Sequence, residues 1–333
     1  LYRSLPSFPA SIIIGGEGII TAEKVWFDGA LVAPRDAKVS LMSYGLHYGG
    51  GIFEGLRAYD TPWGRSVFRL EDHMRRFMES AKFLRLKLEY DHGELCDAVR
   101  SVVKANGSHA DYIRPIAFYG ATPNLSMNPQ GVPTHVAIVT VHMGSYIGDR
   151  QAREGMDVIT SSWEKPSNRA TSLIAKVCGN YVNSTLAKFE AAEAGADEAI
   201  MLNGNGTVAE GTGENLFIVR HGKVVTPDLA SGVLEGVTRD TIIHLARAAG
   251  YDVEERPVTR GELIVANEAF MTGTAAEIVP VRTIDGVLVD GGKPGPVTLQ
   301  MQRLYQGAVR GEDARFVEWL DLTESRNIEL MRV

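Results

Sequence analysis

The sequence predicts a two-domain protein of the α+β class, and three observations carry that reading. At 333 residues the chain exceeds the usual size of one domain and is long enough to bury a full core. Short β-prone runs joined by turn signals are interspersed with stretches whose apolar residues recur at helical spacing. Between Gly144 and Gly155 lies a run of small and polar residues suited to a linker. The chain divides accordingly into an N-terminal arm (1–24), a smaller first domain (25–146), a linker (147–155) and a larger second domain (156–333).

The first domain opens with Val25-Trp26-Phe27-Asp28-Gly29-Ala30-Leu31-Val32, two β-prone runs around Asp-Gly, the strongest short-range hairpin signal. From Ala37 to Tyr59 β-branched, aromatic and glycine residues alternate. The glycines of Tyr48-Gly49-Gly50-Gly51-Ile52-Phe53-Glu54-Gly55 suit either a bulged sheet corner or close approach of another backbone or a ligand. Glu71 to Lys87 places Met74, Phe77, Met78, Ala81 and Leu84 on one face of an amphipathic helix that also carries Arg75 and Arg76. A second helix covers Gly93 to Lys104, a strand covers Tyr112 to Tyr119, and a long loop runs from Gly120 to Pro133. Loops of that length are uncommon without a function. His135 to Val141 closes the domain as a strand.

The second domain resumes with a strand from Asp157 to Thr160 and a helix from Asn180 to Ala194. Ala199–Leu202 and Thr207-Val208 flank Asn203-Gly204-Asn205-Gly206, and Leu216–Val219 and Lys223–Thr226 flank His221-Gly222, giving two hairpins. The helix opened by Val237-Thr238-Arg239-Asp240 and stopped at Gly250 presents free amides and a positive dipole end at its start, a seat for phosphate. Ala269 to Thr272 leads as a strand into the small-residue turn Gly273-Thr274-Ala275-Ala276-Glu277, where amides can converge on an anion. A last helix spans Gly295 to Arg310.

Composition narrows the function. The net charge of -7 argues against a surface built for nucleic acid but leaves room for a local cationic pocket. Cys96 and Cys178 form no CxxC pair, and no His/Cys spacing suits zinc, so neither a disulfide framework nor a structural metal is indicated and a reducing, cytoplasmic setting fits. Ile12–Ile14 and Ile19-Ile20 are interrupted by glycines and Glu17, which suits neither a signal peptide nor a membrane span.

The chemistry centres on Ser172-Leu173-Ile174-Ala175-Lys176-Val177-Cys178-Gly179-Asn180-Tyr181, where one cation stands among apolar and small residues. A buried ammonium tends to lose its proton and become a nucleophilic amine, as Schiff-base chemistry requires. An isolated lysine would more often lay its stem on apolar neighbours and keep its head in water. Two neighbours shift the balance: Tyr181 is placed to bond a phenolate, and Glu210 in a glycine-rich segment is a carboxylate suited to face a pyridine nitrogen.

These residues match a known pattern. The sequence resembles the branched-chain amino-acid aminotransferases of the class IV, fold-type IV pyridoxal-phosphate group from about Val25 to Arg310. The likeness rests on His47-Tyr48-Gly49 with Phe53-Glu54-Gly55, Tyr112-Ile113-Arg114-Pro115, Ala175-Lys176 with Gly179-Asn180-Tyr181, Glu210-Gly211 with Gly213-Glu214-Asn215-Leu216-Phe217, Gly236-Val237-Thr238-Arg239-Asp240, and Gly273-Thr274-Ala275-Ala276-Glu277. The resemblance implies a D-amino-acid-aminotransferase-like fold, with a smaller N-terminal α/β domain and a larger C-terminal pseudo-barrel domain that binds pyridoxal 5'-phosphate. It implies Lys176 as the Schiff-base and proton-shuttling lysine, Glu210 at the pyridine nitrogen and Tyr181 at the ring hydroxyl. Arg76, Val237, Thr238 and Thr274 would hold the phosphate, with Leu234 packed on the ring. It implies Tyr48, Tyr112 and Arg114 as the polar group that handles carboxylates, with Thr274 and Ala275 assisting. Phe53, Tyr181, Tyr146 and the 120–133 loop with Met127 would form the apolar pocket. Substrates would be small amino acids and 2-oxo acids, and sites would be completed in a homodimer or an assembly of dimers, with no nucleic acid or membrane involved.

Two departures touch the substrate pocket. The loop after the Tyr-Ile-Arg-Pro strand reads Asn124-Leu125-Ser126-Met127-Asn128-Pro129 in place of a glycine-valine turn, and Met143 stands where bacterial members often have tryptophan. The alternatives with the same fold are a D-amino-acid transaminase, an (R)-amine transaminase and an aminodeoxychorismate lyase. A non-catalytic binding protein would have lost Lys176 or Glu210, and both are present.

Overall fold

The structure, a computed structural model, describes residues 22–144 and 146–323, so most of the expected arm lies outside the described residues. The first half contains β1 (Val25–Phe27), β2 (Ala30–Val32), α1 (Tyr44–Tyr48), β3 (Gly51–Phe53), β4 (Leu56–Thr61), β5 (Gly64–Phe68), α2 (Leu70–Leu84), α3 (His92–Asn106), β6 (Tyr112–Tyr119) and β7 (Thr134–Val141). After it come α4 (Asp149–Glu154), β8 (Met156–Thr160), α5 (Tyr181–Glu193), β9 (Glu198–Leu202), β10 (Val208–Gly211), β11 (Asn215–Arg220), β12 (Lys223–Thr226) and α6 (Val237–Ala248). The chain continues through β13 (Val253–Glu255), α7 (Arg260–Ile264), β14 (Glu268–Gly273), β15 (Glu277–Ile284), β16 (Val287–Leu288), α8 (Pro296–Val309) and β17 (Leu320–Leu322).

Local chemistry accounts for the element ends. Asp28 and Gly29 both take positive φ, as a two-residue type I′ hairpin requires, and Phe27 pairs with Ala30 across it. A capping box starts α3, with Glu94 N donating to the Asp91 carboxylate at 2.9 Å and Asp91 N to the Glu94 carboxylate at 2.8 Å. The expected linker is not wholly irregular, because residues 149–154 form α4 against β15.

The strands make two sheets. The first has the order β17-β5-β4-β6-β7-β1-β2, with β3 also on β6. The face of α2 that buries Leu70, Met74, Phe77 and Ala81 packs with Leu95, Val99 and Val102 of α3 against Ile52, Leu56, Ile113 and Ile138 of the strands. The second sheet runs β10-β9-β8-β15-β14-β11-β12-β13, with β16 on β15. Its two ends meet where Val208 N donates to Val258 O at 2.8 Å and Thr207 bridges Thr259, so the sheet curls into a pseudo-barrel. Residues 320–322, counted by sequence with the second domain, pair instead with β5 of the first sheet as β17.

Phe217 and Phe270 stack at 5.1 Å between centroids and pack with Ile242 and Leu245 of α6 and Met301 of α8. Phe68, Leu320 and Leu322 join the same cluster, which therefore spans both sheets. Among the described residues no helix is long and apolar enough to cross a membrane. Phe217→Ala will lower the free energy of unfolding by about 3–5 kcal/mol, because the rigid core around it closes only partly over the lost ring. A urea titration reads this as a lowered midpoint, and an unchanged midpoint would show that the site refills.

Candidate active site

The lysine stretch is sewn onto the first sheet. Phe53 N donates to Lys176 O at 3.1 Å, Lys176 N donates to Ser80 Oγ of α2 at 3.0 Å, and Val177 bridges Ile52 of β3. The two segments approach so closely at Gly49 and Gly179 that a Cβ on Gly49 would stand 2.9 Å from Gly179 Cα. Gly49 also has φ +64, so glycine answers both demands. Lys176 thereby projects into a cavity of about 530 Å³ lined by Phe53, Tyr112, Arg114, Tyr181, Thr274 and Ala275, with Arg76, Met143 and Tyr146 also on its wall.

Burial, with the Arg76 guanidinium next in effect, brings the Lys176 ammonium down to about 7, even though the Glu54 and Glu210 carboxylates oppose it. Lys176 Nζ donates to Tyr181 Oη at 2.6 Å. Burial pushes the Tyr181 phenol far up, so it keeps its proton at neutral pH. Phe53 meets Tyr181 edge-on at 4.7 Å and carries the Arg114 guanidinium over its face at 4.7 Å. Arg114 Nη2 donates to Tyr112 Oη at 2.7 Å, while its buried Nε has no partner among the described residues. A Cβ on Gly55 would fall 2.3 Å from Tyr112 Oη, so only glycine leaves room for that phenol.

Arg76 is held before any ligand arrives. Its Nε and Nη2 donate to the two oxygens of Glu54 at 2.6 and 2.8 Å, and its Nη1 donates to Glu235 O at 2.7 Å. A guanidinium has five N–H groups, so two remain for an anion. Burial alone would raise the fully buried Glu54 carboxyl, but Arg76 and His73 outweigh it and hold it far below the usual carboxylate range. His73 Nδ1 donates to Glu54 at 2.8 Å. Arg76 also lines a depression of about 340 Å³ with Glu235, Gly236 and Val237 at the start of α6.

Glu210, on β10, lies at the end of a separate network. Its Oε2 accepts from Asn215 Nδ2 at 2.8 Å and from Leu234 N at 2.9 Å, and its Oε1 pairs with Lys165 Nζ at 2.8 Å. Thr238, buried in the first turn of α6, and Val237 beside it stand where the helix dipole favours phosphate.

The structure thus gathers Lys176, Tyr181, Phe53, Tyr112, Arg114, Arg76, Tyr146, Thr274 and Ala275 around one cavity. Glu210, Leu234, Val237 and Thr238 do not line it; they stand in the neighbouring Glu210 and α6 networks. Tyr48 and Met127 are not on its wall within one chain. Tyr48 is 39% exposed and donates to Leu125 O at 2.6 Å, while Met127 is 68% exposed and its carbonyl accepts from Tyr44 Oη at 3.1 Å. Glu54, His73, Asn215 and Lys165 had no role assigned from sequence. An acid between Phe53 and Gly55 in a strand-like run signals a buried carboxylate, whereas nothing local marks Lys165.

The donor set fits pyridoxal 5'-phosphate. It offers a neutral-range amine for the aldehyde, Arg76 donors and a helix start for the phosphate, and a buried carboxylate fixed by three donors for the ring nitrogen.

The family model for amino-transferase class IV matches residues 51–284. The chain is 41% identical over 300 residues to a branched-chain-amino-acid aminotransferase of Pseudomonas aeruginosa, covering 90% of this chain and 97% of that one. It is similar to the crystal structure of the Escherichia coli branched-chain amino acid aminotransferase, with TM-score 0.89 and 42% identity over 91% of this chain and 100% of that one. It is also similar to the crystal structure of the Thermobaculum terrenum branched-chain amino acid aminotransferase in its PLP form, with TM-score 0.85 and 38% identity over 91% of this chain and 99% of that one. Sequence, fold and donor set agree that the chain belongs to the branched-chain amino-acid aminotransferases of the class IV amino-transferase family.

Proposed function

We propose that the chain moves the amino group of the branched-chain L-amino acids Leu, Ile and Val to 2-oxoglutarate in two half-reactions of a ping-pong cycle. The observation that carries this is the Lys176 amine, lowered to about 7 inside a cavity whose other wall holds Arg114 on an aromatic face. Pyridoxal 5'-phosphate, when bound, supplies the electron sink for charge developing at the substrate Cα. Lys176 Nζ takes the proton from that Cα and later returns one, a task for which a base near neutrality is best matched. Tyr181, still protonated, steadies the amine at 2.6 Å. Arg76, Val237, Thr238 and Thr274 would hold the phosphate, Leu234 would pack on the ring, and Glu210, fixed by Lys165, Asn215 and Leu234, would serve the ring nitrogen.

The α-carboxylate is assigned to the Thr274-Ala275 turn and Tyr112. Phe53, Met143, Tyr146 and Tyr181 line the space for an aliphatic side chain, and Arg114 at its edge takes the second carboxylate of 2-oxoglutarate when one is present. A homodimer, or an assembly of dimers, supplies Tyr48 and Met127 to a second copy's cavity. Support for it is the exposure of Leu41 (81%), Leu46 (64%) and Met127 on α1, the residues before it and the loop after β6, an apolar patch that a partner would cover. The free thiols Cys96 and Cys178 support a cytoplasmic setting.

Purified protein loaded with the cofactor will lose its visible absorbance with L-leucine and regain it with 2-oxoglutarate. Bleaching by D-alanine or (R)-1-phenylethylamine alone would replace the substrate assignment, and the absence of a chromophore would remove the role of Lys176. Arg114→Gln will lower kcat/KM for 2-oxoglutarate about 10–100-fold, the loss of a charged hydrogen bond, and that for L-leucine by far less. Equal losses would show that Arg114 does not distinguish the two substrates.

Lys176→Met will abolish transamination and also change the pH dependence of stability. Between about 7 and 10.5 the unfolded chain binds a proton at Lys176 that the folded chain does not. Wild-type stability therefore rises with pH across that window, and below it the folded state carries the full cost of a buried ammonium. In urea titrations of the cofactor-free proteins, the variant will lack this rise and be the more stable at the acidic end. Parallel curves would mean that Lys176 keeps its ordinary affinity for protons.

A further inference from the structure

The turn that lines the cavity with Thr274 and Ala275 is gripped from behind. Gly273 and Glu277 pair across its base as β14 gives way to β15. Glu277 has φ +58, a left-handed conformation that a residue with a Cβ adopts only when its surroundings impose it. Those surroundings are specific. Glu277 Oε1 accepts from Tyr59 Oη at 2.7 Å and lies 3.4 Å from Arg57 Nη1, while Oε2 accepts from Gln306 Nε2 at 3.0 Å. Tyr59 and Arg57 belong to β4 of the first sheet and Gln306 to α8, so one carboxylate ties the second sheet to two other elements.

Arg57 is buried and has two further connections. Its Nη2 donates to Gly144 O, the carbonyl between cavity residues Met143 and Tyr146. In the β4–β6 ladder it is the register partner of Tyr112. The phenol of Tyr59 is pushed up by burial and by Tyr305 and Glu277 beside it, which keeps it a donor toward Glu277. The cluster therefore touches three parts of the cavity wall from outside: the 273–277 turn, Gly144 next to Met143, and the strand pair carrying Tyr112.

We propose that Arg57 and Glu277, with Tyr59, are positioning residues that form a latch between the two sheets. The latch sets the 273–277 turn for the substrate α-carboxylate without touching substrate or cofactor. The inference rests on the reading of that turn as the carboxylate seat. It separates two properties: breaking the latch weakens carboxylate binding and leaves the Lys176, Glu210 and Arg76 anchors as they were.

Four loaded variants test it: Arg57→Met, Glu277→Gln, Glu277→Gly and the double variant Arg57→Met/Glu277→Gly. Each is measured for KM and kcat with L-leucine and 2-oxoglutarate, for visible absorbance and cofactor retention, and for the Kd of 4-methylvaleric acid, which carries the carboxylate but no amine. Arg57→Met and Glu277→Gly will raise both KM values and the Kd about tenfold, as the loss of a charged contact predicts, with kcat, absorbance and cofactor retention little changed. Glycine accepts φ +58 without strain, so a defect in Glu277→Gly reports the lost carboxylate and not the backbone. Glu277→Gln keeps the acceptor for Tyr59 and will recover part of the loss. The double variant will fall short of the product of the two single effects, because the Arg57–Glu277 contact is already lost in either one.

Unchanged KM and Kd in Glu277→Gly and Glu277→Gln, with only a lowered urea midpoint, would overturn the proposal and reduce the cluster to interdomain packing. Loss of the chromophore in well-folded variants would overturn it too, by placing the effect at the cofactor. Should Arg57→Met not fold, the two Glu277 variants decide. If the wild type binds 4-methylvaleric acid but does not transaminate L-leucine, the substrate assignment fails while the Kd series still decides the latch.

Discussion

Glu54 is a carboxylate with no exposure to water, and much of the site depends on how that burial is resolved. An unpaired charge there would be prohibitive, so Arg76 and His73 of α2 are drawn onto it and the helix is locked to the β3–β4 corner. The same pairing leaves Arg76 with its remaining donors free beside Lys176. There its positive charge adds to burial in lowering the amine. A compensated acid in the first sheet thus prepares both the anion ligand and the proton affinity of a lysine that belongs to the second half of the chain.

The site is an encounter between two halves that neither could form alone. The first half of the chain gives Phe53 of β3, Arg76 of α2 and Tyr112 and Arg114 of β6; the second half gives Lys176, Tyr181 at the start of α5, Glu210 of β10 and the 273–277 turn. The Phe53 amide, donating to the Lys176 carbonyl, and the Ser80 hydroxyl, accepting from the Lys176 amide, fix their relative placement. The proton chemistry needs a dry amine. Carboxylate recognition needs cations at the edge of the same space, and the aromatic faces of Phe53 and Tyr112 let Arg114 stay there with no acid paired to it among the described residues.

What was legible in the sequence followed local rules. The hairpin around Asp28-Gly29, the face of α2 and the strand from Tyr112 to Tyr119 follow turn chemistry and periodicity, and their boundaries hold to within a few residues. Lys176 stood out because a charge is out of place in its apolar run, and Glu210 as a carboxylate within a glycine-rich segment. The central strand β15 did not stand out: it is buried on both faces along most of its length and contains Pro280, so it shows no alternation and carries a residue that usually argues against a strand. Lys165 at Glu210 and Arg57 at Glu277 were equally hidden, because each pair exists only once distant segments have met. Of the readings open for the glycines of residues 49–55, the structure shows the approach of another backbone, at Gly49 against Gly179.

The seating of Leu320–Leu322 beside β5 ties the birth of the first sheet to the last part of the chain. On a ribosome the N-terminal half emerges well before β17. Until then the β5 edge has unpaired backbone groups, and Phe68 waits for Leu320 and for Trp319, which meets its ring at 5.9 Å. Arg100 of α3 likewise waits for Asp321, which it clasps through two nitrogens at 2.7 and 2.6 Å. A nascent chain stalled short of residue 320 would hold Lys176, Arg114 and the 273–277 turn and still present a bare edge to its neighbours.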